Sequence, residues 1–410
     1  MQGAGTKRAD TSDRSYPVLL DITRLTSRVG RGALTGVDRV EMAYLDWCLS
    51  THGQLHGLAR IASGYALLDR NGLARFTDRL KGAEPWGRRD ARALVGVKTP
   101  KPRGAAESDL RRLAISLSNK ARLPDLPDAL YLNTGHSNLR RITLEGVRAQ
   151  GLRTAILVHD TIPLDFPQFQ RDGSADAFAQ KLRLSVQHAD LIISNSKQTK
   201  QRVKAHAKTW GDCPPVTVAH LGLDARERVE VKAKNRPYFT AIGTIEPRKN
   251  HTLLLDIWED MTPDERPDLH FVGKRGWKNE ALFAWLDQLK SQPWLHLHED
   301  MDDPALTRHL SGAHALLFPS FAEGFGLPSL EAAQLGIPVI CGDLAIHREL
   351  LGDYPVYADL EDRYFWKKTI LEQAAQRQKD LVHAHMAKRP HIPTWSEHFA
   401  AVNAAVMKLV

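Results

Sequence analysis

Apolar positions along this chain cluster in short runs, most of four to six residues, separated by amphipathic stretches and by Gly- or Pro-marked breaks. In the first half the runs are Pro17 to Ile22, short segments within 52–75, Ala129 to Leu132, Arg153 to Val158, Asp190 to Ser194 and Val216 to Val218. Runs of this length without alternation predict strands buried on both faces, as in parallel sheets. Between them, Val37, Val40, Met42, Ala43, Leu45 and Trp47 form an apolar stripe at helical spacing, and 177–186 is amphipathic. Ser196 stands where an N-cap belongs, ahead of a basic helix over 197–204. The second half alternates strands (238–242, 269–272, 295–297, 315–318, 339–341, 355–357) with helices near 250–260, 279–290, 303–311, 327–335 and 345–351. It ends in an amphipathic helix over 394–406. Strict strand–helix alternation implies an α/β fold with parallel sheets. The polar segment Ala225 to Arg236 reads as a linker, so the expected units are a disordered tail at 1–15, one α/β domain at 16–232, a second at 233–390 and a C-terminal helical segment at 391–410. A mobile loop is expected at Thr99 to Gly104.

Composition adds limits. The 410 residues suit two domains, and 42% hydrophobic residues suffice for two cores. Three scattered cysteines imply no disulfide framework and fit a reducing compartment. The polar N-terminus lacks the apolar core of a signal peptide, and no run approaches eighteen apolar residues, so the expectation is a cytoplasmic protein. Net charge is +8, and eleven basic against four acidic residues between Lys81 and Arg122 place +7 of it in one stretch. Such a stretch suits anionic lipid on the inner face of the cytoplasmic membrane, a phosphate-bearing acceptor, or simple solvation. No nucleic-acid motif accompanies it, and aromatic residues are sparse there.

Candidate chemistry lies where strands end, because ligands of open α/β sheets bind at the carboxyl edge. The run from His314 to Phe318 breaks at Pro319-Ser320, passes through Glu323, Gly324, Phe325 and Gly326, and enters a helix at Leu327 that carries Glu331. A strand, a Gly-containing loop and a helix N-terminus suit phosphate, and the two carboxylates suit sugar and ribose hydroxyls. After the strand at 238–242, Gly243, Thr244, Arg248 and Lys249 bring a close-turning backbone and two cations to the same edge. Asn250 is placed to cap the next helix. Gly273 follows the next strand, and Glu299-Asp300 the one after. In the first half, Asn133 and His136 follow one strand, and His159 and Asp160 another. Gly36, Val37, Asp38 and Arg39 follow the glycine-marked loop after the first strand.

Together, Glu323-x7-Glu331 with Gly324 to Pro328 inside it, Gly336-Ile337-Pro338 after it, and Gly243 to Asn250 ahead of it resemble the signature of retaining glycosyltransferases of family 4. The resemblance implies a GT-B fold, two Rossmann-like domains facing across a cleft, with the C-terminal helix crossing back to the first. It implies a nucleotide-diphosphate sugar as donor, bound by the second domain, and a glycan or lipid-linked oligosaccharide acceptor on the first. It places Glu323 on sugar hydroxyls, Glu331 on ribose hydroxyls, Arg248 and Lys249 on the diphosphate, and His159 near the scissile bond. Gly273 and the Glu299-Asp300 loop fall beside the base, and the Gly36 to Arg39 element on the acceptor side. Thr244 departs from the pattern, since many members carry Arg there; Arg28, Arg31 or Arg39 would share its task. The Val158 to Pro163 stretch leans the reading toward a mannosyl donor on GDP, with UDP- and dTDP-sugars left open. No cofactor and no obligatory metal is expected. The rival readings are a GT-B sugar-nucleotide epimerase or hydrolase and a non-catalytic nucleotide-sugar-binding subunit; nucleic-acid binding ranks last.

Overall fold

A computed structural model describes residues 16–32, 34–94, 100–119, 129–231 and 236–410. Among these, fourteen strands form two sheets. The first sheet contains β1 (Val18–Asp21), β2 (Leu55–Ile61), β3 (Gly64–Leu68), β4 (Ser116–Ser118), β5 (Leu130–Asn133), β6 (Arg153–Val158), β7 (Leu191–Ser194) and β8 (Val216–Val218), in the order β4-β3-β2-β1-β5-β6-β7-β8. The second contains β9 (Tyr238–Ile242), β10 (Asp268–Val272), β11 (Leu295–His298), β12 (Ala315–Phe318), β13 (Val339–Gly342) and β14 (Val356–Ala358), in the order β11-β10-β9-β12-β13-β14. Every pairing in the second sheet is parallel. In the first, only β2–β3 and β3–β4 are antiparallel. β1, β9 and β12 are buried at every position, which is why their sequences run apolar rather than alternating.

The two halves touch across a cleft. Glu349, on the helix Ala345–Leu351, accepts the backbone N–H of Lys197 (2.7 Å) and Gln198 (3.2 Å) and pairs with His220 (2.7 Å). It thus places a carboxylate at the N-terminus of the helix Lys197–Ala207 from the other half, where the helix dipole favours an anion. Phe169 stacks on Phe321 at 5.2 Å, and Trp277 donates to the Phe169 carbonyl at 3.0 Å. The helix Trp395–Val406 returns to the first half: Phe399 stacks on Trp47 at 4.6 Å, and Tyr16 donates to Asn403 at 3.1 Å. Gly222 makes room for that return, since a Cβ there would lie 2.2 Å from the Trp395 nitrogen.

Two local expectations fail. Lys101 to Gly104 is not loop but the start of a helix, Lys101–Leu113, while Thr99 lies outside the described residues. Its buried face runs through Gly104, Ala105, Ala106, Glu107, Ser108 and Asp109, with Leu110 the first large apolar residue. Small and charged residues buried through Ser108 back-bonding to Gly104 and an Arg103–Glu107 pair leave no apolar period to see. Asn250 occupies the N-cap position of His251–Glu259 but in a left-handed conformation (φ 53°), and its side chain makes no capping bond. The tail at 1–15 and the 232/233 boundary lie outside the described residues. In the basic stretch, Lys81 pairs with Asp46, Arg103 with Glu107, Arg111 with Asp90 and Arg112 with Asp109, so its charge is partly spent internally.

Candidate active site

Three strand ends converge. At the end of β9, the Gly243 amide donates to Val272 (2.9 Å), and Gly273 packs so close that a Cβ there would lie 2.0 Å from the Gly243 carbonyl oxygen. Gly273 therefore has a packing role whatever binds beside it. Thr244 is exposed next to this junction. A 3-10 turn, Pro247–Lys249, then aims two cations at the loop after β12. Arg248 donates through Nε and Nη2 to Glu246 (3.0 and 2.6 Å) and through Nη1 to the Ala322 carbonyl, and lies 3.2 Å from Glu323. Lys249 donates to Glu323 at 2.6 Å and lies over the Phe318 ring at 4.5 Å.

Glu323 is 6% exposed. Burial alone would raise its pKa, but Lys249 and Arg248 outweigh burial and hold it at about 2. Burial also pulls Lys249 down, against the attraction of Glu323. The loop continues through Gly324, where a Cβ would lie 3.0 Å from Asp160 Cβ and 3.1 Å from the His159 carbonyl oxygen. This contact brings the β6 end against the β12 end across the cleft. Phe325 is buried. Gly326 takes φ 82° as N-cap of Leu327–Gln334, a conformation that favours glycine. Leu327 meets the N-terminus of Gly36–Thr51, its Cδ1 lying 3.3 Å from where a Gly36 Cβ would be.

His159 is buried, and its Nε2 donates to the Thr134 carbonyl at 2.6 Å. Burial lowers its pKa to about 4, so the ring is neutral near pH 7. The side chain is thus committed to the protein, and the contact across the cleft comes from its backbone. Asp160 accepts the Ile162 amide at 3.0 Å, a turn bond; burial lifts its pKa while Arg248 draws it back. Asn133 donates to Tyr131 (3.1 Å) and the Ser137 carbonyl (2.8 Å), and His136, at φ 54°, donates to the Leu157 carbonyl (2.9 Å). Both serve the turn after β5.

Gly36, Val37, Asp38 and Arg39 form the first turn of their helix. Asp38 is fully buried: Thr35 donates to it through its amide (2.8 Å) and hydroxyl (2.7 Å), and Arg24 (2.8 Å) and Arg28 (2.9 Å) donate as well. It is an anchor for the helix start, with Arg28 among its partners. Arg31 is exposed. Arg39 reaches across to Glu331 at 2.9 Å and also pairs with Asp303, as does Arg226 from the linker (2.9 and 3.4 Å). Burial lifts Glu331 above the usual carboxylate range despite both arginines. Glu331, Arg39, Arg226, Asp303, Met301 and Leu327 form one end of a cavity of about 790 Å³ between the halves, continued by Trp47, Trp395 and Phe399. His159, Arg248, Lys249 and Glu323 do not line it.

Glu41 was not anticipated. It is buried, and a Cβ on Gly135 would lie 2.2 Å from its Oε1, while Arg24 stands 3.7 Å from Oε2. Burial pushes its carboxyl well above the ordinary range. The i,i+3 spacing from Asp38 puts both acids on one helix face, a signal present in the sequence.

Residues 224–382 match the model for glycosyl transferases group 1. The serotype-specific mannosyltransferase WbdA of Escherichia coli is 30% identical over 237 residues, 52% of this chain but only 29% of WbdA. The O-antigen chain mannosyltransferase B of the same organism is 35% identical over 127 residues, 30% of this chain and 33% of that one. The chain therefore matches about a third or less of the length of these two relatives. Among solved structures, Anabaena Alr3699/HepE in complex with UDP and glucose superposes over 95% of this chain and 99% of its own with a TM-score of 0.61 at 13% identity, a likeness of fold. The match covers the strand ends that carry Lys249, Glu323 and Glu331, and the resemblance read from their motif is borne out. The chain therefore has the two-domain GT-B fold, and residues 224–382 in its second half are similar to glycosyl transferases group 1.

Proposed function

We propose that the protein transfers a hexosyl or deoxyhexosyl group from a nucleotide-diphosphate sugar to a glycan or lipid-linked acceptor in surface polysaccharide synthesis, with a mannosyl group on GDP as the favoured donor. The observation that carries this reading is the buried Lys249–Glu323 pair set against the helix N-terminus at Leu327, inside the group 1 match. The mannosyl and surface-polysaccharide parts rest on the relatives, which are named as mannosyltransferases, two of them of the O-antigen chain.

A carboxylate held at about pKa 2 is a poor proton acceptor and a good hydroxyl acceptor. Glu323 therefore suits sugar hydroxyls. Arg248 is fixed by Glu246, Ala322 and Glu323, so it positions Glu323. Lys249 is the cation that meets the diphosphate, assisted by the N–H groups of the Leu327 helix. As the bond from C1 to the leaving phosphate oxygen breaks, a bond from C1 to the acceptor oxygen forms on the same face. The acceptor proton passes to the departing phosphate, and no protein nucleophile is used. The charge is met by protein groups, so activity should survive EDTA.

Isothermal titration with UDP-, GDP-, dTDP- and CMP-sugars in EDTA, repeated with Glu323→Ala and Lys249→Ala, tests this. Saturable binding of one nucleotide class, weakened by both changes, supports the donor site and names the base. Heat that neither change alters would remove it. Peripheral attachment to the cytoplasmic membrane is the weaker part, because four of the basic residues in the 81–122 stretch are already paired. Equal flotation with neutral and anionic vesicles would discard it.

A further inference from the structure

Sheet faces covered by helices in parallel α/β domains are normally apolar. One face of the second sheet is not. Pleating puts alternate residues on the same side, and the register sets His270 beside His296 and beside Thr240. Asp268, two residues before His270, and His298, two after His296, share that side, as does Tyr238. The His270 ring stacks on His296 at 4.3 Å and on His298 at 5.1 Å, and His309 from the helix Asp303–Gly312 closes over them at 4.9 Å from His270. None of these histidines belongs to the candidate active site.

One ligand atom each from Asp268, His270 and His296 lies within 4.8 Å of the others. His296 Nε2 is buried, has no hydrogen-bond partner among the described residues, and stands 3.7 Å from Asp268 Oδ2. His270 is buried, and its Nδ1 meets His298 Nε2 at 2.9 Å, a contact that holds the ring's orientation in the way an outer partner orients a metal-bound imidazole. A tetrahedral ion with bonds of about 2.0–2.1 Å needs its ligand atoms about 3.3 Å apart. The remaining closure is available because His296, 38% exposed, stands on the edge strand, and Asp268, 14% exposed, is the first residue of β10.

We propose that Asp268, His270 and His296 form a binding site for one divalent transition-metal ion, completed by water. Two imidazoles and a carboxylate are the donor set of zinc, cobalt, nickel or copper rather than of magnesium or calcium, which take oxygen. The ion ties the edge strand β11 to β10. It thereby stiffens the strand that leads into Glu299 to Asp302, beside the cavity that holds Glu331. Arg236 is the competing cation, 3.5 Å from Asp268 Oδ1 and 44% exposed.

The test uses the full chain, stripped with chelator and titrated with zinc chloride by calorimetry, with cobalt chloride followed by its visible absorption, and with magnesium chloride as control. One equivalent of zinc is expected to bind and raise the melting temperature, with magnesium inactive. His296→Ala and Asp268→Asn should each weaken zinc by at least about tenfold. Arg236→Ala should tighten it. His296 is part-exposed, so its removal leaves the core packed; circular dichroism of the variant checks that. The chain has 18 histidines, so zinc bound equally well by His296→Ala and wild type would place the ion elsewhere and overturn the assignment, as would absence of saturable binding.

Discussion

Glu323 and Glu331 are eight positions apart in one strand–loop–helix, and each is bonded to basic side chains, yet their surroundings differ in kind. Glu323 is held by Arg248 and Lys249, which come from the end of β9 in its own sheet. Glu331 is held by Arg39 from the opposite half and Arg226 from the linker. The first network survives any parting of the domains; the second keeps Arg226, which also bonds Thr307, but loses Arg39 when they part. Their protonation follows the same division. Two close cations drive the Glu323 pKa down against burial, whereas burial dominates at Glu331 and lifts it. One carboxylate is prepared in advance, and the other is completed by domain closure.

The comparison is broken most directly by removing each carboxylate. Glu323→Ala leaves Lys249 buried without its carboxylate while Arg248 keeps Glu246, which costs roughly 3–5 kcal/mol of stability and about 10²–10³ in turnover. Glu331→Ala should cost less, because Arg39 and Arg226 keep the exposed Asp303 as partner and Arg226 keeps Thr307. Denaturant unfolding of both variants gives the stabilities. Equal losses would show that the two sites are built alike.

Acid sharpens it. His159 and His398 are lowered to about 4 and His251 to about 3, each by burial, so all three are neutral in the folded state. A lowered folded pKa means stability that is complete above the unfolded value of about 6.5 and is lost as pH falls toward the folded one. Glu323 adds a second loss, from its unfolded value near 4.5 down to about 2, while Glu331, shifted upward, is relieved by protonation. Melting temperature should therefore begin to fall below about pH 6.5 and steepen below about 4.5. Glu323→Gln should flatten the second limb, to which Asp38, Asp90 and Glu349 also contribute, and keep the first. If its acid profile matches wild type, the two cations are not acting on Glu323.

The same division governs what could be read beforehand. The strands of the second sheet are legible because burial on both faces leaves unbroken apolar runs such as Ala315 to Phe318. The glycines at 243, 273 and 326 are legible because turns with positive φ ask for them. Ion pairs leave no such trace. Lys249 finds Glu323 at a separation of 74 residues, and Arg226 finds Glu331 at 105. Only assembled sheets make such pairs, so nothing local marks Arg226 as a partner of Glu331, or Arg24 and Arg28 as partners of Asp38. His159 was placed correctly at a strand end, but its ring orientation depends on the Thr134 carbonyl from the neighbouring turn, which no local pattern encodes.

The smallest expected effect bears on what Glu331 does when a nucleotide arrives. Arg39 and Arg226 both donate to Oε1 at 2.9 Å, the group that a ribose diol would need in the proposed complex. Arg226→Ala removes one competitor and leaves the other, so nucleotide affinity should rise by about 2- to 5-fold, the equivalent of roughly 0.5–1 kcal/mol for one such pair. Arg226 also lies in the linker, where its loss could act by loosening the domains. Arg39→Ala removes the other competitor without touching the linker, at the loss of a contact across the cleft. A gain in both variants marks competition for the carboxylate. A loss in both would mean that the arginines hold the nucleotide themselves, and that the Glu331 end is as fully prepared as the Glu323 end.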